Sequence, residues 1–398
     1  MFKSNSRRSL VAVLAVALMV TAVLGAALAA CGGVATATSN TTAATSTTGA
    51  AGSGTTAASA GTSASTPTTA PAGGALKADL NGAGATFPQP VYVEWIGAFQ
   101  SVNPDVKINY QGVGSGAGIQ QFTQQTVDFG ASDAFMKDTE LQAAEAARSG
   151  AKVLHIPTVF GAIVLAYNLP DVKDLKLDSD TIANIFLGKI TAWDDPALKA
   201  LNPDAKLPST AIQTVHRSDS SGTTNAFTSY LATVNADWKS GPGAGKEIKW
   251  AGGVGGKGND GVAAVIKQTT GAIGYVELAY ATQNTMSIAQ VKNKSGNFIT
   301  PSLETTSAAA QGIQIPADMN LLPLVSDSAN AQAYPIVTST YILAYDKMPD
   351  TAKAAALKAF LTWALSDDGT AIAKELGYAP LPSALKDAAL QKVALIGS

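Results

Sequence analysis

The stretch HRSDSSGTT, residues 216–224, leads into the amphipathic run 225–234 and predicts the start of a helix. The first turn of a helix has N–H groups without intrahelical partners and carries about half a positive charge, so it attracts small anions. Gly222 permits close approach of the backbone, and Arg217 offers a planar fork of donors that Asp219 is placed to orient. Further hydroxyl donors are Ser221, Thr223 and Thr224. An ordinary N-cap explains the same residues, so this segment alone leaves capping and anion binding equally open.

Two further segments of this kind lie upstream. We call each such segment, in which the chain turns through glycine and hydroxyl residues into a helix, a corner. NGAGATFP, residues 81–88, precedes aromatic and apolar side chains at helical spacing. Pro88 suits the opening turn of a helix, which puts Thr86 at a helix N-terminus. GVGSGAG, residues 112–118, follows a strand-like alternation and contains Ser115. The sequence therefore contains three corners, each with glycines and hydroxyl groups, which could surround one binding point in the fold.

A carboxylate, Asp133, follows the run 127–132. Beside an anion it is repulsive unless the ligand has a proton to donate. Phosphate near neutrality keeps at least one proton and sulfate keeps none, so a buried Asp133 would reject sulfate by remaining an unpaired charge. An aspartate in a turn is the simpler explanation of the sequence, and both interpretations stay open here.

From Ala78 onward short apolar runs alternate with longer amphipathic ones, which predicts an α/β fold. A chain of 398 residues is too long for one core of usual size, and this favours two lobes. Predicted strands are 106–110, 153–158, 161–168, 271–275 and 338–345. Predicted helices are 119–126, 179–187, 261–267 and 351–365, the last with an apolar stripe of Ala355, Leu357, Phe360, Leu361 and Ala364.

The N-terminus has the layout of an export signal. Basic residues precede an apolar or small stretch, 10–30, and the only cysteine, Cys31, follows directly. LAACG, residues 28–32, resembles a bacterial lipobox, so we expect residues 1–30 to be a lipoprotein signal peptide. Residues 31–77 are mostly Ala, Thr, Ser and Gly and predict a disordered tether behind the lipidated cysteine. An uncleaved transmembrane helix is the alternative.

Composition excludes several classes of function. A net charge of -2 with 14% charged residues and no basic block argues against nucleic acid. His155 and His216 are the only histidines, so with a lipidated cysteine no soft metal site is predicted. The glycines of residues 112–117 match a dinucleotide fingerprint only weakly, and an exported protein has little access to such cofactors. GASDA, residues 130–134, lacks the last glycine of a nucleophile elbow.

Several motifs, in their order and spacing, resemble the phosphate-binding protein of the bacterial phosphate ABC transporter, the PstS family. The resemblance extends from about residue 81 to 385. The motifs are GATFP (84–88), YQGVGSG (110–116), VDFGASD (127–133), GKITAW (188–193), RSDSSGT (217–223), GKGNDG (256–261) and GAIGYVE (271–277).

The resemblance implies a type II periplasmic-binding-protein fold, in which the chain crosses twice between two α/β lobes that close on one phosphate. Lobe I would comprise residues 78–159 and 335–398, and lobe II residues 160–334. The resemblance implies that lobe I supplies Thr86, the Phe87 N–H, Ser115 and the proton acceptor Asp133. It implies that lobe II supplies Arg217, Ser221, Gly222 and Thr223, with Asp219 orienting Arg217.

The function implied by the family is non-enzymatic. We expect a monomeric lipoprotein on the outer face of the cytoplasmic membrane that delivers inorganic phosphate to ABC transporter permease subunits, without a cofactor or metal. Two alternatives remain at this point. One is an exported phosphoester hydrolase in which Ser221 or Thr223 acts on the ester, and the other is a structural lipoprotein of the cell envelope.

Overall fold

A computed structural model describes residues 76–398. The predicted signal peptide, the lipidation site Cys31 and the tether up to residue 75 lie outside the described residues. A search of residues 76–398 finds no helix with the length and apolar character needed to span a membrane.

Strands and helices alternate along most of the described chain, as the sequence predicts. The strands are β1 Ala78–Gly84, β2 Val106–Gly112, β3 Phe129–Ser132, β4 Val153–Tyr167, β5 Lys176–Leu177, β6 Gln213–Arg217, β7 Val254–Gly256, β8 Ala272–Glu277, β9 Ser287–Ile288, β10 Gln290–Lys292, β11 Phe298–Ile299, β12 Val337–Tyr345 and β13 Ala379–Pro380. The helices are α1 Gln89–Val102, α2 Ser115–Thr123, α3 Asp138–Ala147, α4 Ser179–Phe186, α5 Pro196–Leu201, α6 Gly222–Val234, α7 Ala236–Ser240, α8 Gly258–Gln268, α9 Leu278–Gln283, α10 Leu303–Ala309, α11 Leu322–Val325, α12 Thr351–Ala364, α13 Asp367–Glu375 and α14 Ser383–Ala394.

The main sheet has the strand order β2-β1-β3-β12-β4-β8-β6-β7. We call β2, β1, β3 and β12 the first half and β8, β6 and β7 the second half. Within the first half β1 is parallel to β2 and β3, and within the second half β6 is parallel to β7 and β8. Helices α1 and α12 pack on the first half, and α6 and α8 pack on the second. A smaller sheet has the order β11-β10-β5.

The long strand β4 links the two halves. It pairs with β12 up to Ala162 and with β8 from Ile163 onward, so it carries the chain from the first half to the second, and β12 returns it. The two consecutive runs predicted as buried strand, 153–158 and 161–168, form a single strand, because β4 is continuous over 15 residues. Pro157 has no N–H to give to a central strand, and a bulge in the pairing with β12 accommodates it.

The helix predictions are correct in position but shifted at their ends. α2 begins at Ser115, four residues before the predicted start, because glycines carry its first turn. In α12, Ala355 is exposed while Ala354 and Ala356 are buried, so the predicted stripe is wrong at that position. An alanine is too small to mark a helix face unambiguously in a run of alanines.

The polar corners all follow the carboxyl ends of parallel strands. β1 ends at Gly84, β2 at Gly112, β3 at Ser132 and β6 at Arg217, each within a few residues of a predicted site residue. In open α/β sheets the crevice outside these strand ends is where ligands bind. The carboxyl ends of β3 and β8 point toward each other along β4, near residues 157 and 163, so the corners of the two halves face each other where β4 passes between them.

Candidate anion-binding site

The corner at residues 216–224 is both a helix cap and a set of free donors. Ser221 is the N-cap of α6, and its Oγ accepts the Thr224 N–H at 3.0 Å. The helix geometry leaves the N–H groups of Gly222 and Thr223 without intrahelical partners. Capping and a capacity for anion binding thus coexist at one helix start.

Arg217 is buried and held in a fork by Asp219. Its Nε donates to Asp219 Oδ1 at 2.8 Å and its Nη2 to Oδ2 at 2.5 Å. Burial disfavours the Asp219 carboxylate, but the hydrogen bonds and charge of Arg217 outweigh it and hold the pKa of Asp219 below its ordinary value. Arg217 Nη1 donates to Thr223 Oγ1 at 3.3 Å. The predicted orienting role of Asp219 has the geometry it requires.

Asp133 is a buried carboxylate with one engaged oxygen. Its Oδ1 accepts the Thr340 hydroxyl at 2.8 Å, whereas its Oδ2 accepts no hydrogen bond from residues 76–398. Burial raises the pKa of Asp133 to about 7, against the opposing effects of the Thr340 hydroxyl, the Arg217 charge and the Thr223 hydroxyl. The Thr223 hydroxyl lies near Asp133 without giving Oδ2 a hydrogen bond. A buried carboxylate oxygen without a donor is costly.

Gly222 is the point where the second half meets Asp133. A Cβ on Gly222 would lie 2.5 Å from Ser115 Oγ and 2.7 Å from Asp133 Oδ2, both of which belong to the first half. Ser115 Oγ in turn accepts the Asp133 N–H at 3.2 Å. Only glycine permits this approach, so the structure explains the residue type at position 222.

Other contacts also join the two halves. The Gly116 N–H donates to the Ser220 carbonyl at 3.0 Å. Lys246 forms an ion pair with Glu140 on α3, and this pair and its hydrogen bond lower the pKa of Glu140 although burial opposes the shift. The Tyr280 hydroxyl on α9 donates to the Thr86 carbonyl. The described conformation is one in which the halves are in contact.

Thr86 and Phe87 form the corner after β1. Thr86 lies two residues before Pro88, the N-cap of α1, so it precedes the helix rather than capping it. Its buried Oγ1 accepts from the backbone N–H and from Nδ2 of Asn259, at 3.2 and 3.0 Å. The Phe87 carbonyl accepts the Tyr378 hydroxyl at 2.6 Å, which fixes this peptide segment.

Asn259 was not predicted as a site residue. It lies in the first turn of α8, is fully buried, and contacts both Thr86 and Thr223. The sequence points to its motif, GKGNDG, only through the family resemblance. An asparagine at a helix start is ordinary in sequence, and only the tertiary structure reveals that it contacts two other corners.

Metal ligation has no support in the described residues, where no group of three or more His, Cys, Asp or Glu side chains is placed to hold an ion. His155 Nε2 accepts the Met136 N–H at 3.3 Å, and burial lowers the pKa of this histidine to about 4. His216 stacks on Trp250 with ring centroids 4.8 Å apart. Both histidines have packing roles.

Two half-sheets linked by the shared strand β4, with polar corners gathered between them, define a two-lobed periplasmic-binding-protein fold. A profile of the PBP superfamily domain matches residues 33–368. The phosphate-binding protein of Stenotrophomonas maltophilia has a similar solved structure, with a TM-score of 0.63 at 22% identity over 79% of this chain and 93% of that one. This likeness establishes the shared fold.

Sequence comparison identifies the family. The phosphate-binding protein PstS of Haemophilus influenzae is 42% identical over 308 residues, which cover 76% of this chain and 89% of that protein. The PstS of Methanocaldococcus jannaschii is 38% identical over 332 residues, 79% of this chain and 85% of that protein. The chain belongs to the PstS family of phosphate-binding proteins.

Proposed function

We propose that the protein captures inorganic phosphate between its two halves, without catalysis, for an ABC transporter. The observation that carries the proposal is the buried Asp133 Oδ2, which faces Gly222 and accepts no hydrogen bond within the described chain. A ligand that donates a proton there relieves the cost of the unpaired oxygen. The site therefore calls for an anion that is also a hydrogen-bond donor.

The remaining groups complement the other oxygens of such an anion. Arg217 supplies the positive charge, and the start of α6 supplies the N–H groups of Gly222 and Thr223. We assign further donation to the Ser221 hydroxyl and, from the first half, to the Thr86 and Ser115 hydroxyls and the Phe87 N–H. Asp219 takes no part in direct contact and holds the guanidinium of Arg217 in place.

Selectivity follows from the protons of the ligand. Phosphate has a proton for Asp133 near neutral pH, whereas sulfate has none and would place its oxygens against a buried carboxylate. The free-energy cost of a buried carboxylate without a partner exceeds the free energy that an ordinary hydrogen bond contributes to binding. In this proposal the preference for phosphate over sulfate depends on one repulsive group, the Asp133 carboxylate, among groups that otherwise attract the anion.

Capture without chemistry is favoured by the hydrogen bonds of the hydroxyls. Ser221 Oγ serves as the helix cap, and Thr223 Oγ1 accepts from Arg217. Within residues 76–398 neither histidine forms a hydrogen bond to Ser221 or Thr223, so these hydroxyls have no imidazole base. A phosphoester hydrolase therefore gains no support from the geometry.

We further propose that lobe I comprises residues 78–159 and 335–398 and that lobe II comprises 160–334. The support is the switch of β4 from β12 to β8 and the return of the chain at β12. The sequence of residues 1–31 supports export and anchoring through Cys31. We propose that the anchored protein acts as a monomer and delivers phosphate to permease subunits at the outer face of the membrane.

Calorimetric titration of phosphate-stripped protein tests the proposal. We expect one phosphate per chain with micromolar or tighter affinity, and no saturable heat with sulfate at equal concentration. Absence of phosphate binding, or equal binding of sulfate, would contradict the proposed function. Release of the protein from membranes by mutation of Cys31 to Ser tests the anchor separately.

A further inference from the structure

The side-chain amide of Asn259 forms hydrogen bonds to two corners of the site. Asn259 follows β7 in the first turn of α8 and is fully buried. Its side chain lies between Thr86 after β1 and Thr223 in α6, so it touches both halves.

The orientation of this amide is fixed by a backbone group. The Glu277 N–H donates to Asn259 Oδ1 at 3.0 Å, and an N–H has no capacity to accept. Nδ2 must therefore face the two threonines, at 3.0 Å from Thr86 Oγ1 and 3.3 Å from Thr223 Oγ1. Both hydrogens of the amide are used.

The threonine hydroxyls consequently have no acceptor capacity left. Thr86 Oγ1 accepts from the N–H and from Nδ2 of Asn259, which occupies its two lone pairs. Thr223 Oγ1 accepts from Asn259 Nδ2 and from Arg217 Nη1, which occupies its two lone pairs as well. Each hydroxyl then has only its hydrogen to offer to another group.

We propose that Asn259 is a positioning and specificity-determining residue, which forces the Thr86 and Thr223 hydroxyls to act as donors toward the bound anion. This inference rests on the proposed phosphate function and deepens it. A hydroxyl that is free to rotate accepts a ligand proton as readily as it donates its own. With both threonines held as donors, the proton of the ligand is directed to Asp133.

A double-mutant cycle tests the coupling between Asn259 and Thr86. We expect Asn259→Ala to weaken phosphate binding by about tenfold or more, the scale of one misdirected hydrogen bond to a charged group. In a Thr86→Val background the loss should shrink to about threefold, because only Thr223 remains to be oriented. In a Thr86→Ser background, which keeps the hydroxyl, the loss should return to its full size.

Asn259→Asp is the variant matched for shape. It keeps an oxygen for the Glu277 N–H and exchanges the amide donor for a second acceptor, so both hydroxyls turn toward it and away from the anion. We expect a larger loss of phosphate affinity than Asn259→Ala gives, and thermal unfolding of the ligand-free variant checks that it is folded. A smaller loss than that of Asn259→Ala would overturn the inference.

The result of the cycle separates two failures. If the parent binds no phosphate, the proposed function is wrong. If the parent binds phosphate but Asn259→Ala is silent, or costs the same in the parent, Thr86→Val and Thr86→Ser backgrounds, the proposed function stands and the role of Asn259 is wrong. Calorimetry of each variant gives the affinities, and thermal unfolding of each without phosphate shows that it is folded.

Discussion

Replacing Gly222 by alanine should prevent the two halves from closing fully on a ligand. The added Cβ would lie 2.5 Å from Ser115 Oγ, 2.6 Å from Asp133 Cβ and 2.7 Å from Asp133 Oδ2, whereas ordinary contacts begin at 3.4 Å. The halves would have to stay apart by several tenths of an ångström at both residues. Every clashing atom lies in the first half, so opening the cleft relieves the strain.

The expected magnitude follows from the cost of overpacking. Inserting a methyl group into a well-packed contact costs about 1–3 kcal/mol. That range corresponds to phosphate binding weakened by roughly 5-fold to 150-fold. The ligand-free protein should lose no stability, because Gly222 opens α6 without a left-handed backbone and alanine is the better helix residue.

Calorimetry with phosphate and thermal unfolding without it check both expectations. Gly97→Ala is the matched control, since Gly97 lies within α1 and a Cβ there has nothing within 4 Å. The control should bind phosphate as the parent does. The reasoning is refuted if Gly222→Ala binds phosphate as tightly as the parent, or if it unfolds at a lower temperature than the parent before any ligand is added.

Three further substitutions test individual groups. Arg217→Lys should weaken phosphate binding about tenfold or more, because a lysine cannot keep the two-pronged contact with Asp219; unchanged affinity by calorimetry would count against Arg217 as a ligand contact. Asp133 has a pKa raised by burial from 3.8 to about 7, so its ionisation costs the ligand-free protein stability as pH rises through that interval. Asp133→Asn should therefore flatten the pH dependence of the unfolding temperature and raise that temperature at about pH 8. The same variant should discriminate less between phosphate and sulfate. An undiminished preference for phosphate would show that Asp133 does not select the ligand. Glu140→Gln breaks the ion pair with Lys246 across the halves and should weaken phosphate binding by about threefold at low salt, and by less at high salt; a loss independent of salt would exclude this electrostatic contribution to closure.

The sequence is most informative where local chemistry is restrictive. The glycine and hydroxyl residues before Pro88 and after Arg217 predict corners. Helix α6 begins at Gly222, as its residues indicate. The buried spacing of Tyr92, Trp95 and Phe99 is likewise that of a helix face. These features follow from backbone sterics and from the spacing of apolar residues. Both are properties of the local sequence and do not depend on tertiary contacts.

Features that depend on distant partners were not predictable in this way. The continuity of β4 through Pro157 depends on a bulge opposite Thr340, whose hydroxyl in turn holds Asp133. The role of Asn259 depends on two threonines 173 and 36 residues away along the chain. No local pattern records such contacts, because they join segments that are distant along the chain and arise only in the folded protein.

A crystal structure of the phosphate complex tests the central claim most directly. We predict one phosphate between the halves, with an oxygen about 2.5–2.7 Å from Asp133 Oδ2, the spacing of a hydrogen bond to a charged acceptor. The other oxygens should lie within hydrogen-bond distance of Arg217, the start of α6 and the Thr86 hydroxyl. A phosphate bound elsewhere, or one whose oxygens avoid Asp133 Oδ2, would contradict the claim that this carboxylate accepts the proton of the ligand.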